Sequence, residues 1–246
     1  MAMLFTQHHT VFPEPPEARS PRAVNDRWAA FAIERETPLQ WARLAAQTPD
    51  LLRAPRGSGE PVLLIPGFRA HESSMYLLMG YLRWLGYDAK TWGRGFNTGR
   101  VRRDVQALAP RVQTWHQTTG QQVRLVGWSL GGVISREVAR RRPEDVAHVF
   151  TYGSPVIGGP RYTLAGRHWT REKTDELEQQ QAALDRARPI RVPVTAFFSR
   201  KDRIVDWPAC IDRRTPNIRH IEVHSTHIGM GVDPDVWRQI AWGLKS

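Results

Sequence analysis

The sequence predicts an α/β fold: a doubly wound, mostly parallel sheet of about six strands with helices on both faces, preceded by a helical N-terminal layer. Two observations predict it. Short apolar runs bounded by Pro, Gly or polar residues alternate with longer segments whose apolar residues recur every three or four positions. Strands separated by helix-length segments pair in parallel through crossovers, and their right-handedness spreads the helices over both faces. In such sheets ligands bind beyond the carboxyl ends of the strands. The residues that follow each apolar run are therefore the ones to read for chemistry.

The first 60 residues differ from the rest. Pro13, Pro15, Pro16 and Pro21 mark an extended arm. Val24, Trp28, Phe31 and Arg35 fall at helical spacing, with Asn25 and Asp26 early. A second short helix is expected from Pro38, in its first turn, to about Gln47. Residues 53–61, rich in Arg, Pro and Gly, read as a linker. Residues 1–60 are thus expected to form an arm and helical layer packed on a main domain that spans 61–246.

From Pro61 the alternation is regular. Val62-Leu63-Leu64-Ile65, closed by Pro66-Gly67, is a buried strand. A helix over 73–85 is capped by Ser73 or Ser74 and stopped at Gly86. The next strand covers 87–92. Val101, Val105, Leu108, Val112 and Trp115 carry the strongest helical period, with Pro110 inside it as an expected kink. Strand 123–128, helix 131–142 and strand 147–152 follow. Residues 158–190 are polar and irregular, with a helix over about 171–186, and stand where a lid or a solvated excursion would be. Strands at 194–199 and 218–223 and a helix over 233–244 complete the pattern.

Composition excludes several classes. A chain of 246 residues with 41% hydrophobic and 24% charged residues is globular, not disordered throughout. No run approaches the roughly 18 apolar residues of a membrane span. The N-terminal residues lack a basic start followed by an apolar run, so no secretory leader is read and a cytoplasmic setting is expected. Cys210 is the only cysteine, which removes disulfide frameworks and thiolate metal clusters. The formal charge is +11, yet only Lys90, Lys173, Lys201 and Lys245 are lysines; the other 31 basic residues are arginines spread along the chain. A nucleic-acid binder concentrates its charge on one face or tail, so no nucleic-acid partner is expected. The densest cluster, Arg140-Arg141-Arg142, stands before Pro143 where a helix should end, and cations are favoured there. A membrane surface or another anionic partner is the weaker reading of the charge.

The chemistry gathers at four loops. Gly127-Trp128-Ser129-Leu130-Gly131-Gly132 is a G-x-S-x-G pattern between a strand and a helix. A serine on so tight a turn needs neighbours without side chains, which Gly127 and Gly131 supply, and the helix start beneath it favours developing negative charge. A serine hydroxyl needs a base. His227 lies on a glycine-bearing loop, Thr226 to Gly231, that can bend it back toward Ser129. His224 is expected still in the strand before it, as a packed or half-exposed side chain. The acid should follow the preceding strand, where Asp202 and Asp206 both qualify. Asp206 precedes Trp207-Pro208 and has an alternative use as a helix N-cap. The two N–H donors of an oxyanion hole are expected at Leu130, after the serine, and at Phe68, after Pro66-Gly67. No His, Asp or Glu cluster has metal-ligand spacing. Trp128, Trp92, Trp207 and Met75 are candidates to line an acyl pocket.

With these segments in hand, the chain resembles the α/β-hydrolase superfamily of esterases and lipases. More narrowly, it is similar to a bacterial group with a strand-Pro-Gly-Phe start and a G-W-S-L-G-G elbow. Gly153-Ser154-Pro155, the segment Ser199 to Trp207 and the histidine loop Thr226 to Gly231 extend the likeness. The resemblance covers roughly residues 60–244. It implies a catalytic triad of Ser129, Asp202 and His227, a small-molecule acyl ester as substrate, and no cofactor. The superfamily often has His-Gly where this chain has Pro66-Gly67, and two further N-terminal strands where 1–60 reads as helical. Ester hydrolysis is the leading expectation. Acyl transfer, or lactone or amide cleavage, would use the same triad. A non-catalytic basic binding protein on this fold is the reading from another class.

Overall fold

The computed structural model describes residues 9–12 and 14–245. Pro13 and the first eight residues, on which the reading of the leader and part of the arm rests, lie outside them. Seven strands form one sheet in the order β1-β7-β6-β5-β4-β2-β3. They are β1 (His9–Phe12), β2 (Pro61–Ile65), β3 (Asp88–Thr91), β4 (Val123–Trp128), β5 (Val146–Tyr152), β6 (Val194–Phe198) and β7 (Ile218–Val223). All neighbours from β2 onward are parallel, and β1 is antiparallel to β7.

The side-chain alternation of a strand explains the two layers. In β2, Val62 and Leu64 face one core, with Leu44, Leu51, Leu78, Leu82, Val236 and Ile240. Leu63 and Ile65 face the other, with Val105, Leu108, Val112, Ile134 and Val138. Helices α2 (Thr37–Leu51), α3 (Tyr76–Trp84) and α7 (Pro234–Gly243) therefore cover one face. Helices α4 (Val101–Thr119) and α5 (Leu130–Arg141) cover the other. Two further helices are α1 (Arg27–Ile33) and α6 (Arg171–Ala187).

The structure corrects three expectations. The sheet has seven strands, because the arm supplies β1: His9 pairs with Val223 and Phe12 with His220. With Val11 exposed, Phe12 packed 6.0 Å from Phe198 and the His9 ring 3.0 Å from Gln239 Nε2, this edge strand is held by backbone pairing and the side chains at its two ends, not by an apolar alternation. Helix α2 runs on to Leu51, past Gln47 and through Pro49. Helix α4 is one continuous helix that includes the exposed Pro110. The third helix starts in a 3-10 turn, Glu72–Met75, capped by the His71 ring, which accepts the Ser73 N–H at 3.2 Å.

The N-terminal layer docks on α7 through buried charge. Arg43 of α2 donates to Asp235 at 2.6 Å and lies 3.6 Å from Asp233, and Arg238 donates to the other oxygen of Asp235 at 2.6 Å. The segment 158–190 is two 3-10 turns followed by α6. It is tied to the domain where Arg140 donates to Asp185 at 2.5 Å and where Leu164 N–H donates to the Ile204 carbonyl at 2.7 Å. Among the described residues no helix is long and apolar enough to cross a membrane.

The strand order reverses between β2 and β4: the chain runs outward from β2 to β3, then returns to the far side of β2. The loops that leave β2 and β4 therefore face each other across the crevice where such sheets bind ligands.

Candidate active site

Ser129 follows β4 with φ 53° and ψ −121°, a backbone that a non-glycine residue keeps only when its surroundings hold it there. A Cβ on Gly127 would lie 2.4 Å from the backbone of Gly131, and one on Gly131 would lie 2.1 Å from the Ile65 oxygen. A Cβ on Gly132 would meet Ser154 Oγ at 2.0 Å. The Ser129 N–H donates to the Tyr152 carbonyl at 2.8 Å. The turn is thus clamped between β2 and β5. Leu130 opens α5, so its N–H has no intrahelical acceptor and lies at the positive end of the helix.

The loop after β2 stands against this turn. A Cβ on Gly67 would lie 3.3 Å from Ser129 Cβ and 3.2 Å from the Trp128 ring. Asn97, fully buried, holds the loop: its Nδ2 donates to the Pro66 carbonyl at 2.8 Å, and its own carbonyl accepts the Arg69 N–H at 2.7 Å. Arg69 is the only described non-glycine residue besides Ser129 with positive φ, 59°. The Phe68 ring is exposed and lies over Gly99. Its N–H makes no backbone hydrogen bond among the described residues.

His227 lies between β7 and α7. Its Nδ1 is 2.6 Å from Asp202 Oδ2, and the two residues are 3% and 4% exposed. Asp202 Oδ1 accepts the N–H groups of Ile204 at 2.9 Å and Val205 at 2.8 Å, which fixes the carboxylate in an Asx-type turn. Trp128 donates its indole N–H to the His227 carbonyl at 3.3 Å, and the two rings lie 5.8 Å apart. Gly153, at φ 58°, closes the far side; a Cβ there would lie 2.9 Å from His227 Cε1 and Nδ1. Burial disfavours the imidazolium. The charge and hydrogen bond of Asp202, and then the charge of Glu34, outweigh that and hold His227 above its ordinary value.

Asp202 and His227 are therefore in direct contact. Ser129 joins them through Trp128, its neighbour in the chain, and makes no side-chain hydrogen bond to the ring among the described residues. An imidazole whose Nδ1 is committed to a carboxylate leaves Nε2 as the free base.

Other candidates lie elsewhere. Asp206 begins the short turn Trp207–Cys210, but its side chain makes no capping bond. It takes the Arg19 guanidinium in two bonds of 2.8 and 2.6 Å and the Arg22 N–H at 2.5 Å, and so anchors the N-terminal arm. His224 is exposed and lies just past β7, not in it. Of the residues considered for an acyl pocket, Trp92 is buried in the α4–α5 core and Met75 in the opposite core. Trp207 stacks on Phe198 at 5.6 Å beneath Arg200. Only Trp128 of the four touches His227. Among the described residues no group of three His, Cys, Asp or Glu is arranged to hold a metal ion.

Two residues with a part in this geometry carry no sequence signal of it. Asn97 acts through backbone groups 28 to 31 positions away, and only its Asn-Thr-Gly turn marks it. Glu34 accepts from Thr226 and Ile228, on either side of His227 and 192 and 194 positions away.

No protein-family model matches the chain, and no curated protein matches its sequence. Solved structures do match. A lipolytic enzyme of the metagenome-derived pair LipS and LipT superposes with a TM-score of 0.60 at 17% identity, over 78% of this chain and 96% of its own. The mature lipase BlEst2 of Bacillus licheniformis gives 0.55 at 14% identity, over 77% and 93%. MGS-MChE2, an α/β hydrolase enzyme from the sediment metagenome of the Mar Chica lagoon in Morocco, gives 0.51 at 17% identity, over 77% and 91%. Together with the mostly parallel seven-stranded sheet, these likenesses show that the chain has the α/β-hydrolase fold.

Proposed function

We propose that the protein is a serine hydrolase that cleaves a carboxylic ester through an acyl-enzyme on Ser129, with His227 as general base and Asp202 as the acid that orients it. The observation that carries this is the buried His227–Asp202 hydrogen bond, 2.6 Å long, beside a serine held at φ 53°. The lipolytic enzyme and the lipase of the same fold support an ester as the substrate class.

In this reading Ser129 Oγ adds to the ester carbonyl carbon and its proton passes to His227 Nε2. The carbonyl oxygen becomes an oxyanion that the N–H groups of Leu130 and Phe68 receive. Asp202 stabilises the imidazolium without taking the proton. Collapse of the adduct breaks the bond to the alcohol oxygen, which leaves with the proton from His227. Water then adds to the acyl-enzyme by the same route, returning the proton to Ser129 and releasing the acid.

A fluorophosphonate probe tests it. Wild type should gain one adduct, on the peptide that carries Ser129, and should hydrolyse a series of esters whose chain-length profile defines the acyl group. Ser129→Ala should do neither. Folded wild-type protein that stays unlabelled and inert overturns the proposal.

A further inference from the structure

Glu34 lies in the 3-10 turn Glu34–Glu36 that joins α1 to α2, far in sequence from the loops of the site. Its carboxylate is nevertheless committed to the loop that carries His227. Oε2 accepts the Thr226 hydroxyl at 2.6 Å and the Thr37 hydroxyl at 2.9 Å. Its two oxygens face the Ile228 N–H at 3.2 and 3.3 Å. Thr226 and Ile228 are the residues immediately before and after His227. The Thr226 hydroxyl also accepts the Gly229 N–H at 3.1 Å, and Thr226 is fully buried. One carboxylate therefore grips both sides of the histidine.

We infer that Glu34 is a positioning residue for His227: it fixes the loop that presents the ring to Asp202 and adds a second negative charge beside the imidazole. The inference rests on the reading of Ser129 and His227 as nucleophile and base.

The charged and titratable groups around the ring are few. Asp202 faces Nδ1 from the loop after β6, and Glu34 approaches from the N-terminal layer. Cys210, near Asp202, is uncharged, since burial pushes its thiol well up. Asp233, further along the histidine loop, lies 3.6 Å from Arg43. On the turn of Glu34 itself, Glu36 is paired with Lys201 at 2.7 Å and Arg35 is exposed. Trp128 and Gly153 bring no charge. A negative group beside an imidazole favours its protonated form. The transition state makes that form, so a charge that stabilises it also speeds the step.

The test compares wild type with Glu34→Gln, Glu34→Asp and Glu34→Ala. The rate of Ser129 labelling by a fluorophosphonate is followed from pH 5 to 9, with kcat and KM for an ester and a melting curve for each protein. Glu34→Gln removes the charge and keeps the size. Its acid limb should move to lower pH by on the order of half a unit. Its plateau rate should fall on the order of tenfold, the worth of a bond to a charged group, with KM little changed. Glu34→Asp should recover the acid limb and part of the plateau. Glu34→Ala should label more slowly than Glu34→Gln. If wild type is labelled and the Glu34→Gln profile superimposes on it in both limb and plateau, the inference alone falls, even where melting temperatures differ. If wild type itself is unlabelled, the functional reading falls and the inference with it.

Discussion

Nδ1 of His227 stands 2.6 Å from Oδ2 of Asp202, while the other Asp202 oxygen is held by the N–H groups of Ile204 and Val205. The carboxylate is thus oriented by its own loop before it orients the histidine. Asp206, four residues on, is engaged with Arg19 and Arg22. The two aspartates should separate on mutation. Asp202→Asn should lower ester turnover by about 10⁴ with a small loss of stability, since the amide cannot hold the same tautomer. Asp206→Ala should retain most turnover and lose about 1–3 kcal/mol, from the bonds to Arg19 and Arg22. Turnover and melting of both variants decide the matter: a dead Asp206→Ala beside an active Asp202→Asn would exchange the assignments.

The acid limb of the pH profile has a definite sign. In the proposed mechanism His227 acts as a base only when neutral, and its folded value lies above the ordinary one. Activity should therefore rise in a single step with a midpoint above about 6.5. Asp202→Asn removes the leading group that holds the value up, so its residual activity should rise at lower pH. A raised histidine value also stabilises the fold below the unfolded value, and that contribution is lost as pH rises through the folded one. A rate flat between pH 5 and 8 would contradict the histidine base.

The loop that carries the Phe68 N–H, proposed above as an oxyanion donor, is held by Asn97. Asn97→Ala removes the bond to the Pro66 carbonyl and the acceptor of the Gly99 N–H, 2.8 and 3.1 Å long. With one oxyanion donor no longer held in place, kcat should fall roughly tenfold to a hundredfold while KM stays near its starting value. Stability should fall by about 1–3 kcal/mol, because a buried carbonyl loses its donor. Steady-state kinetics on an ester check this. An unchanged kcat in a variant that melts lower would mean that the loop keeps its shape without Asn97.

The sequence makes the parallel strands and the elbow legible for one reason: both rest on local constraints. A buried strand such as β2 must be apolar at every position. A turn like that at Ser129 needs glycine where a side chain on Gly127 would strike the backbone of Gly131, one on Gly131 the end of β2 at Ile65, and one on Gly132 Ser154 just past β5, each at under 3 Å. Asp202 is less legible, because Asp206 also follows β6 and only the fold shows that Arg19 has taken it. Strand β1 leaves no pattern, since a four-residue edge strand pairs by backbone and needs no alternation. Glu34 and Asn97 are invisible for the same reason. Their partners are hydroxyls and peptide groups that any sequence supplies, brought close only by the docking of α2 on α7 and of the 93–99 turn on the loop after β2.

That docking of α2 on α7 depends on Arg43, whose guanidinium serves Asp235 at 2.6 Å and Gln40 at 2.7 Å and lies 3.6 Å from Asp233. The side chains of Arg43, Asp233 and Asp235 are 6%, 1% and 0% exposed. Arg43→Met keeps the apolar stem and removes the charge, which leaves the two buried carboxylates beside Arg238 and the His9 ring, 2.6 and 3.6 Å from Asp235. Removing one partner of a buried pair costs about 3–5 kcal/mol, or roughly 10 °C in a domain of this size. The pH dependence identifies the cause. Asp233 already sits above the usual carboxylate range: burial raises it, Arg43 opposes, and Asp235 raises it again. Without Arg43 it should rise further. A carboxyl whose folded value exceeds its unfolded one binds more protons when native, so it stabilises the fold in acid and loses that contribution as pH rises. The deficit of Arg43→Met against wild type should therefore be smaller at pH 5 than at pH 8 in urea unfolding at both. A deficit equal at the two pH values would mean that α2 is held by its apolar contacts and that the carboxylates find other partners.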